Sequence, residues 1–103
     1  MEKYTHLLSK LSLQLTMKPI PVDWKGIDII WEFVERIKED GATVIIKVDG
    51  GRTAPNDNGC YTILITGENL ENNPIRTDAY ALEDALAYGI ANYAKRFWGF
   101  LDF

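Results

Sequence analysis

Cysteine and histidine, the usual carriers of nucleophilic and metal chemistry, are nearly missing from this chain. One cysteine, Cys60, among 103 residues excludes an intramolecular disulfide and any multi-cysteine metal cluster, and fits a reducing compartment. One histidine, His6, excludes the usual His-rich metal centres. No apolar run approaches the roughly 20 residues of a membrane span. Residues 1–10 contain Glu2, Lys3 and His6 and no apolar core, so no secretory leader is expected. Basic charge is also short: eleven Lys and Arg against fifteen Asp and Glu give a net charge of −4. That balance disfavours unaided binding to nucleic acid, where neutralising phosphates supplies most of the affinity. These absences predict a soluble cytoplasmic protein without membrane or nucleic-acid partner.

What is present is core material. Hydrophobic residues make up 47% of the chain and charged residues 25%, with three Trp, five Tyr and four Phe. Such a composition buries enough apolar surface to offset chain entropy, and the length suits one compact domain over 1–103.

The clearest periodic stretch is Leu82 to Phe97. Leu82, Leu86, Ile90, Tyr93 and Phe97 recur at helical spacing, with Ala85 and Gly89 beside them. Glu83 and Asp84 in its first turn and Lys95 and Arg96 in its last complement the helix dipole. A second helix is predicted from Asp23 as cap and Trp24 as first residue. Its stripe is Trp24, Ile27, Ile30, Trp31, Val34 and Ile37, widened by Ile29 and Phe33, and Asp40-Gly41 stops it. Residues 2–17 carry a helical face (Tyr4, Leu7, Leu8, Leu11, Leu15). They also show strand-like alternation at Leu11, Leu13, Leu15 and Met17; composition favours the helix. The prolines of Lys18-Pro-Ile-Pro21 force an extended connector after it.

Two β-branched runs, 42–48 (ATVIIKV) and 60–66 (CYTILIT), read as strands. On the first, Val44, Ile46 and Val48 share one face and Ile45 and Lys47 the other. On the second, Tyr61, Ile63 and Ile65 oppose Cys60, Thr62, Leu64 and Thr66. Ile75 to Ala79 is read as a short third strand in preference to a helix starting at Asp78. The predicted class is α+β: a small antiparallel sheet of two or three strands packed against helices, in the order α-α-β-β-(β)-α. Which face of the sheet the helices cover is left open by the alternation itself.

No catalytic or cofactor motif emerges, and neither cofactor nor metal is expected. The loop from Asp49 to Gly59 holds three glycines, a proline, two asparagines and two aspartates, which is turn chemistry. It lacks the alternating ligands and the glutamate of a calcium loop. Gly50-Gly51-Arg52 is followed by a strand where a phosphate-binding loop needs a helix amino terminus. A small-ligand or catalytic reading would use Asp49, Arg52, Asp57 and Cys60, with Arg52 clamping an anion and Asp57 acting as base. The aromatics exceed ordinary needs at the carboxy terminus, where Trp98, Phe100, Leu101 and Phe103 follow the last helix and Tyr88 lies off its stripe. Either this tail folds back to complete the core, or Tyr88, Trp98, Phe100, Leu101 and Phe103 form an interface with a protein partner or a second copy.

A small acidic αββα chain of this kind is similar to bacterial toxin-immunity proteins and other stand-alone inhibitors, a likeness of architecture and charge. It implies a non-catalytic protein-binding role, with Glu35, Glu39, Asp40, Glu68 and Glu71 meeting a basic patch on the partner.

Overall fold

The computed structural model describes residues 2–52 and 54–102. The chain is α+β, in the order helix, helix, helix, three strands, helix: α1 (Glu2–Thr5), α2 (Leu7–Gln14), α3 (Trp31–Glu39), β1 (Thr43–Val48), β2 (Tyr61–Thr66), β3 (Ile75–Ala79) and α4 (Leu82–Phe97). The strands form one antiparallel sheet in the order β1-β2-β3. Thr43 pairs with Thr66 and Val48 with Tyr61; Tyr61 in turn pairs with Ala79 and Ile65 with Ile75. Ile75–Ala79 is therefore a strand, and Asp78 caps nothing.

The register decides which face is covered. Ile63 and Ile65 are buried against α4, while Ile45, Leu64 and Lys47 lie on the opposite face. At Gly89 α4 lies close on the sheet: a methyl group there would stand 3.0 Å from Ile63 Cγ2. The expected stripe holds at Leu86, Ile90 and Tyr93, all buried. A second buried row was not anticipated: Ala87, Ala91 and Ala94 are completely enclosed, with α1 and α2 packed on that side. Alanines allow the helices to approach closely, so α4 lies between the sheet and the amino-terminal helices rather than on an outer layer.

The amino-terminal stretch is helical, as composition indicated. Leu7, Leu8 and Leu11 are buried and Leu13 points outward. The connector that follows is strapped to α2 by short bonds. Ser9 Oγ donates to the Ile20 carbonyl at 2.6 Å, and the buried Ser12 hydroxyl accepts the Ile20 N–H at 3.3 Å.

The second predicted helix begins late. Residues 24–27 are not helical, a 3-10 turn spans Asp28–Ile30, and α3 starts only at Trp31. Gly26 adopts φ +76, left-handed backbone that breaks the run, and its N–H donates to Glu83 Oε2 on α4 at 2.9 Å. Trp24 is buried with its indole N–H on the Thr5 carbonyl, and Asp23 is exposed without capping a helix. With the start displaced, the buried stripe is Ile30, Phe33, Val34 and Ile37, and Trp31, expected in the core, is 46% exposed. A side-chain-to-backbone bond between distant elements outcompeted the local helical period here.

Candidate interaction surface

The carboxy-terminal residues do not form a single surface. Phe100 is fully buried, so it has nothing to present to a partner. Its N–H and that of Trp98 both reach the Ala94 carbonyl, which folds the chain back over the end of α4. Trp98 is half-buried, edge-on to Tyr93 at 5.2 Å and stacked near Phe33, with its indole N–H on Asp40 Oδ2 at 2.9 Å. The Tyr93 hydroxyl donates to the same carboxylate oxygen at 2.9 Å and accepts from Asn69 Nδ2 at 2.8 Å. Burial, reinforced by the bond to Asp40, pushes the Tyr93 phenol up to about 12. Tyr88 is half-buried and packs edge-on to Tyr4. Of the described residues in this set, Leu101 alone stands out, 88% exposed. Phe103 lies outside the described residues.

The loop residues are not gathered into a pocket either. Asp49 Oδ1 accepts the Gly51 N–H, and Asp57 Oδ2 accepts the Ala54 N–H, so both carboxylates shape turns. Cys60 is half-buried, its carbonyl bonded to the Asp49 N–H. Arg52 instead reaches Asp78 on β3, Nη1 to Oδ1 at 3.5 Å, and Arg76 lies at the same distance from that oxygen. Thr62 Oγ donates to Asp78 as well. This hydroxyl bond, followed by the two guanidinium charges, holds the Asp78 carboxyl below its usual value of 3.8 against the opposing effect of burial. Tyr80 donates to the Asp57 carbonyl, and the loop thus swings towards β3 and away from β1. Among the described residues, no group of three or more His, Cys, Asp or Glu could hold a metal ion.

Because Asp78 is depressed when folded, the folded state resists its protonation. Its contribution is fully present above the unfolded value and is lost as pH falls through the lower folded one. Asp78→Asn should therefore melt roughly 5 °C lower near pH 7, from the loss of one charge-assisted bond. The gap to the parent should close as pH drops below 4 in a series of thermal melts; a gap independent of pH would contradict this role.

Three exposed large apolar residues lie elsewhere, on the single strand β1. Ile45 is 46% exposed, Ile46 36% and Val48 66%. α4 rests on β2 and β3 and α3 packs at the start of β1, and among the described residues the second half of this edge strand keeps exposed side chains at Ile46 and Val48. Between α3 and β1 runs a groove of about 260 Å³ lined by Trp31, Val34, Ala42 and Val44. Glu35 and Lys38, paired at 2.7 Å, form its polar lip, and Glu35 Oε1 also accepts the Trp31 indole N–H at 2.9 Å. Both partners hold Glu35 below the ordinary carboxylate value.

The backbone of β1 is as open as its side chains. The Asp49 N–H donates to the Cys60 carbonyl at 2.7 Å, continuing the β1–β2 register. Antiparallel pairing alternates, so Thr43, Ile45 and Lys47 exchange bonds with β2, while Val44, Ile46 and Val48 direct N–H and C=O outward. On β3 the outward positions are the charged Arg76 and Asp78, by the same alternation. Natural edge strands are commonly blunted by charge, proline or a bulge. β3 follows that practice, whereas β1 has only Lys47.

The sequence placed Trp31 in the core and left open which sheet face is covered, the half-apolar free face being a candidate partner surface beside the aromatic tail. It could not see that α4 would settle over β2 and β3. The one available signal was the run of three β-branched residues 44–46, apolar on both faces. No helix of the described residues is long and apolar enough to cross a membrane. No protein-family model, curated protein or solved structure matches this chain.

Proposed function

We propose that this chain is a non-catalytic protein-binding module whose docking surface is the free edge of β1 with the adjoining Trp31 groove. The carrying observation is the coincidence, on one strand, of outward backbone groups at Val44, Ile46 and Val48 with exposed apolar side chains. An added strand would satisfy the first and cover the second, the logic of recognition by β-augmentation. The loop reading through Asp49, Arg52 and Asp57 is less well supported, since those carboxylates already accept backbone bonds and the guanidinium already faces Asp78.

An inhibitor or immunity-type role is a finer version of the same proposal. Of the acidic residues it would use, Glu39, Glu68 and Glu71 are exposed, whereas Asp40 is bound by Tyr93 and Trp98.

The test is quantitative affinity capture from the native source with tagged parent, Ile46→Lys and Leu101→Lys chains. At least one protein, another copy of the chain included, should be retained by the parent and by Leu101→Lys but depleted tenfold or more by Ile46→Lys. A captured set indifferent to Ile46 would dismiss the β1 edge as a docking surface.

A further inference from the structure

The docking reading leaves the occupant open, and the β1 edge itself narrows it. Its free donors and acceptors lie at Val44, Ile46 and Val48, spaced symmetrically about Ile46. Beyond Val44 the edge closes, because the Ala42 N–H is already bonded to the Ile37 carbonyl at the end of α3. Resting on that docking reading, we infer that β1 pairs antiparallel with β1 of a second copy, Ile46 against Ile46, to make a continuous six-stranded sheet.

The register follows from three constraints. A two-fold axis perpendicular to the sheet keeps each face on the same side in both copies, so paired residues share parity. The outward groups must meet one another, which permits Ile46 opposite Ile46 with Val44 opposite Val48. The alternative, Ile45 opposite Ile45, would place Val48 opposite Ala42, whose N–H is not free. The chosen register satisfies all three outward positions on both strands and leaves no donor of this stretch unpaired.

The groove supports a second copy over an arbitrary strand. Its floor includes Val44, and in this register the residue arriving opposite Val44 is Val48 of the other copy. Val48 is 66% exposed, the most exposed apolar residue of the strand, and the cleft beside Trp31, Val34 and Val44 holds about 260 Å³. Each copy thus brings the other the side chain that its groove lacks, an isologous match. Arg52 and Asp57 of the loop after β1 are tied to Asp78 and Tyr80, on the β3 side of the sheet and away from the β1 edge. Charge does not oppose it at the contact either: β1 carries no carboxylate, although the chain as a whole is net −4. The strand, groove and Trp31 together would bury on the order of 600 Å² per copy, the small end of what specific interfaces require. A reversible dimer is therefore expected rather than an obligate one. Closure by the two-fold also consumes the edge on both copies, which prevents open-ended strand addition.

Sedimentation velocity over a concentration series tests this on the full chain. The parent should dimerise reversibly. Ile46→Lys and Val48→Lys should weaken the dimer at least tenfold, while Leu101→Lys leaves it unchanged, with circular dichroism confirming that each variant is folded. Hydrogen exchange on the parent provides a measurement free of substitution: the amides of Val44, Ile46 and Val48 should gain protection as concentration rises. In a Cys60→Ser background, Ile46→Cys should cross-link to itself under mild oxidation, since paired Cα atoms about 5.5 Å apart lie within disulfide reach. Cross-linking through Ile45→Cys and not Ile46→Cys would overturn the register. A dimer insensitive to Ile46→Lys and Val48→Lys would overturn the interface. A chain that stays monomeric at several hundred micromolar overturns self-pairing. The capture experiment then separates the two ideas: for a monomeric chain, a foreign protein lost with Ile46→Lys leaves the docking surface standing, and loss of neither a foreign protein nor a second copy removes both.

Discussion

Gly59→Ala is expected to destabilise the fold by about 4 kcal/mol, combining left-handed strain with a forced backbone shift. Gly59 has φ +111, and a methyl group built on it would stand 2.2 Å from the carbonyl carbon of Ala79 and 2.7 Å from the Tyr80 nitrogen. Those are main-chain atoms at the end of β3, which no rotamer change can move. The alanine can be accommodated only if the loop lifts away from β3, and with it go the Tyr80 hydroxyl bond to Asp57 and the seating of Arg52 on Asp78. Marginal stabilities of about 5–15 kcal/mol make such a loss a large fraction of the total. Urea unfolding followed by tryptophan fluorescence measures it. Gly50→Ala is the control: nothing lies within 4 Å of a methyl group there. Equal midpoints for Gly59→Ala and Gly50→Ala would show that the loop does not rest on β3 as described.

Phe100→Ala is the second large effect, expected at about 3–5 kcal/mol, the usual cost of emptying a buried phenylalanine site. Phe100 is fully enclosed and its neighbour Leu101 is 88% exposed, so Leu101→Ala should fall within about 0.5 kcal/mol of the parent. The contrast is diagnostic because the two residues are adjacent in an aromatic-rich terminus that the sequence alone reads equally well as core or as interface. Loss of Phe100 should also loosen Trp98 and hence its bond to Asp40, with a matching change in near-ultraviolet dichroism. Two similar, small effects would mean that the tail is a frayed end and not part of the core.

Both expectations come from positions where local pattern was silent. The helix 82–97, the strands 43–48, 61–66 and 75–79, and the stop at Gly41 were legible because each rests on a short-range period or a turn preference. The helix expected from Trp24 was not, since its first turns are displaced by the Gly26 bond to Glu83, 57 positions along the chain. Buried Ala87, Ala91 and Ala94 were overlooked because alanine carries little hydropathic signal. They matter through size, and size counts only once a second helix is known to lie on them. The exposure of Trp31, Ile46 and Val48 was hidden for the opposite reason: large apolar residues look like core wherever they stand.

By itself the amino-acid order determined the class of this protein, its last helix and three strands, and the alternation of its sheet faces. Those features depend on residue type and spacing over a few positions. The tertiary structure alone decided that α4 covers β2 and β3 but not β1, that Phe100 is inside and Leu101 outside, and that Arg52 faces Asp78. Burial is set by which elements run out of neighbours, and three strands beneath one long helix leave an edge that no local rule can assign.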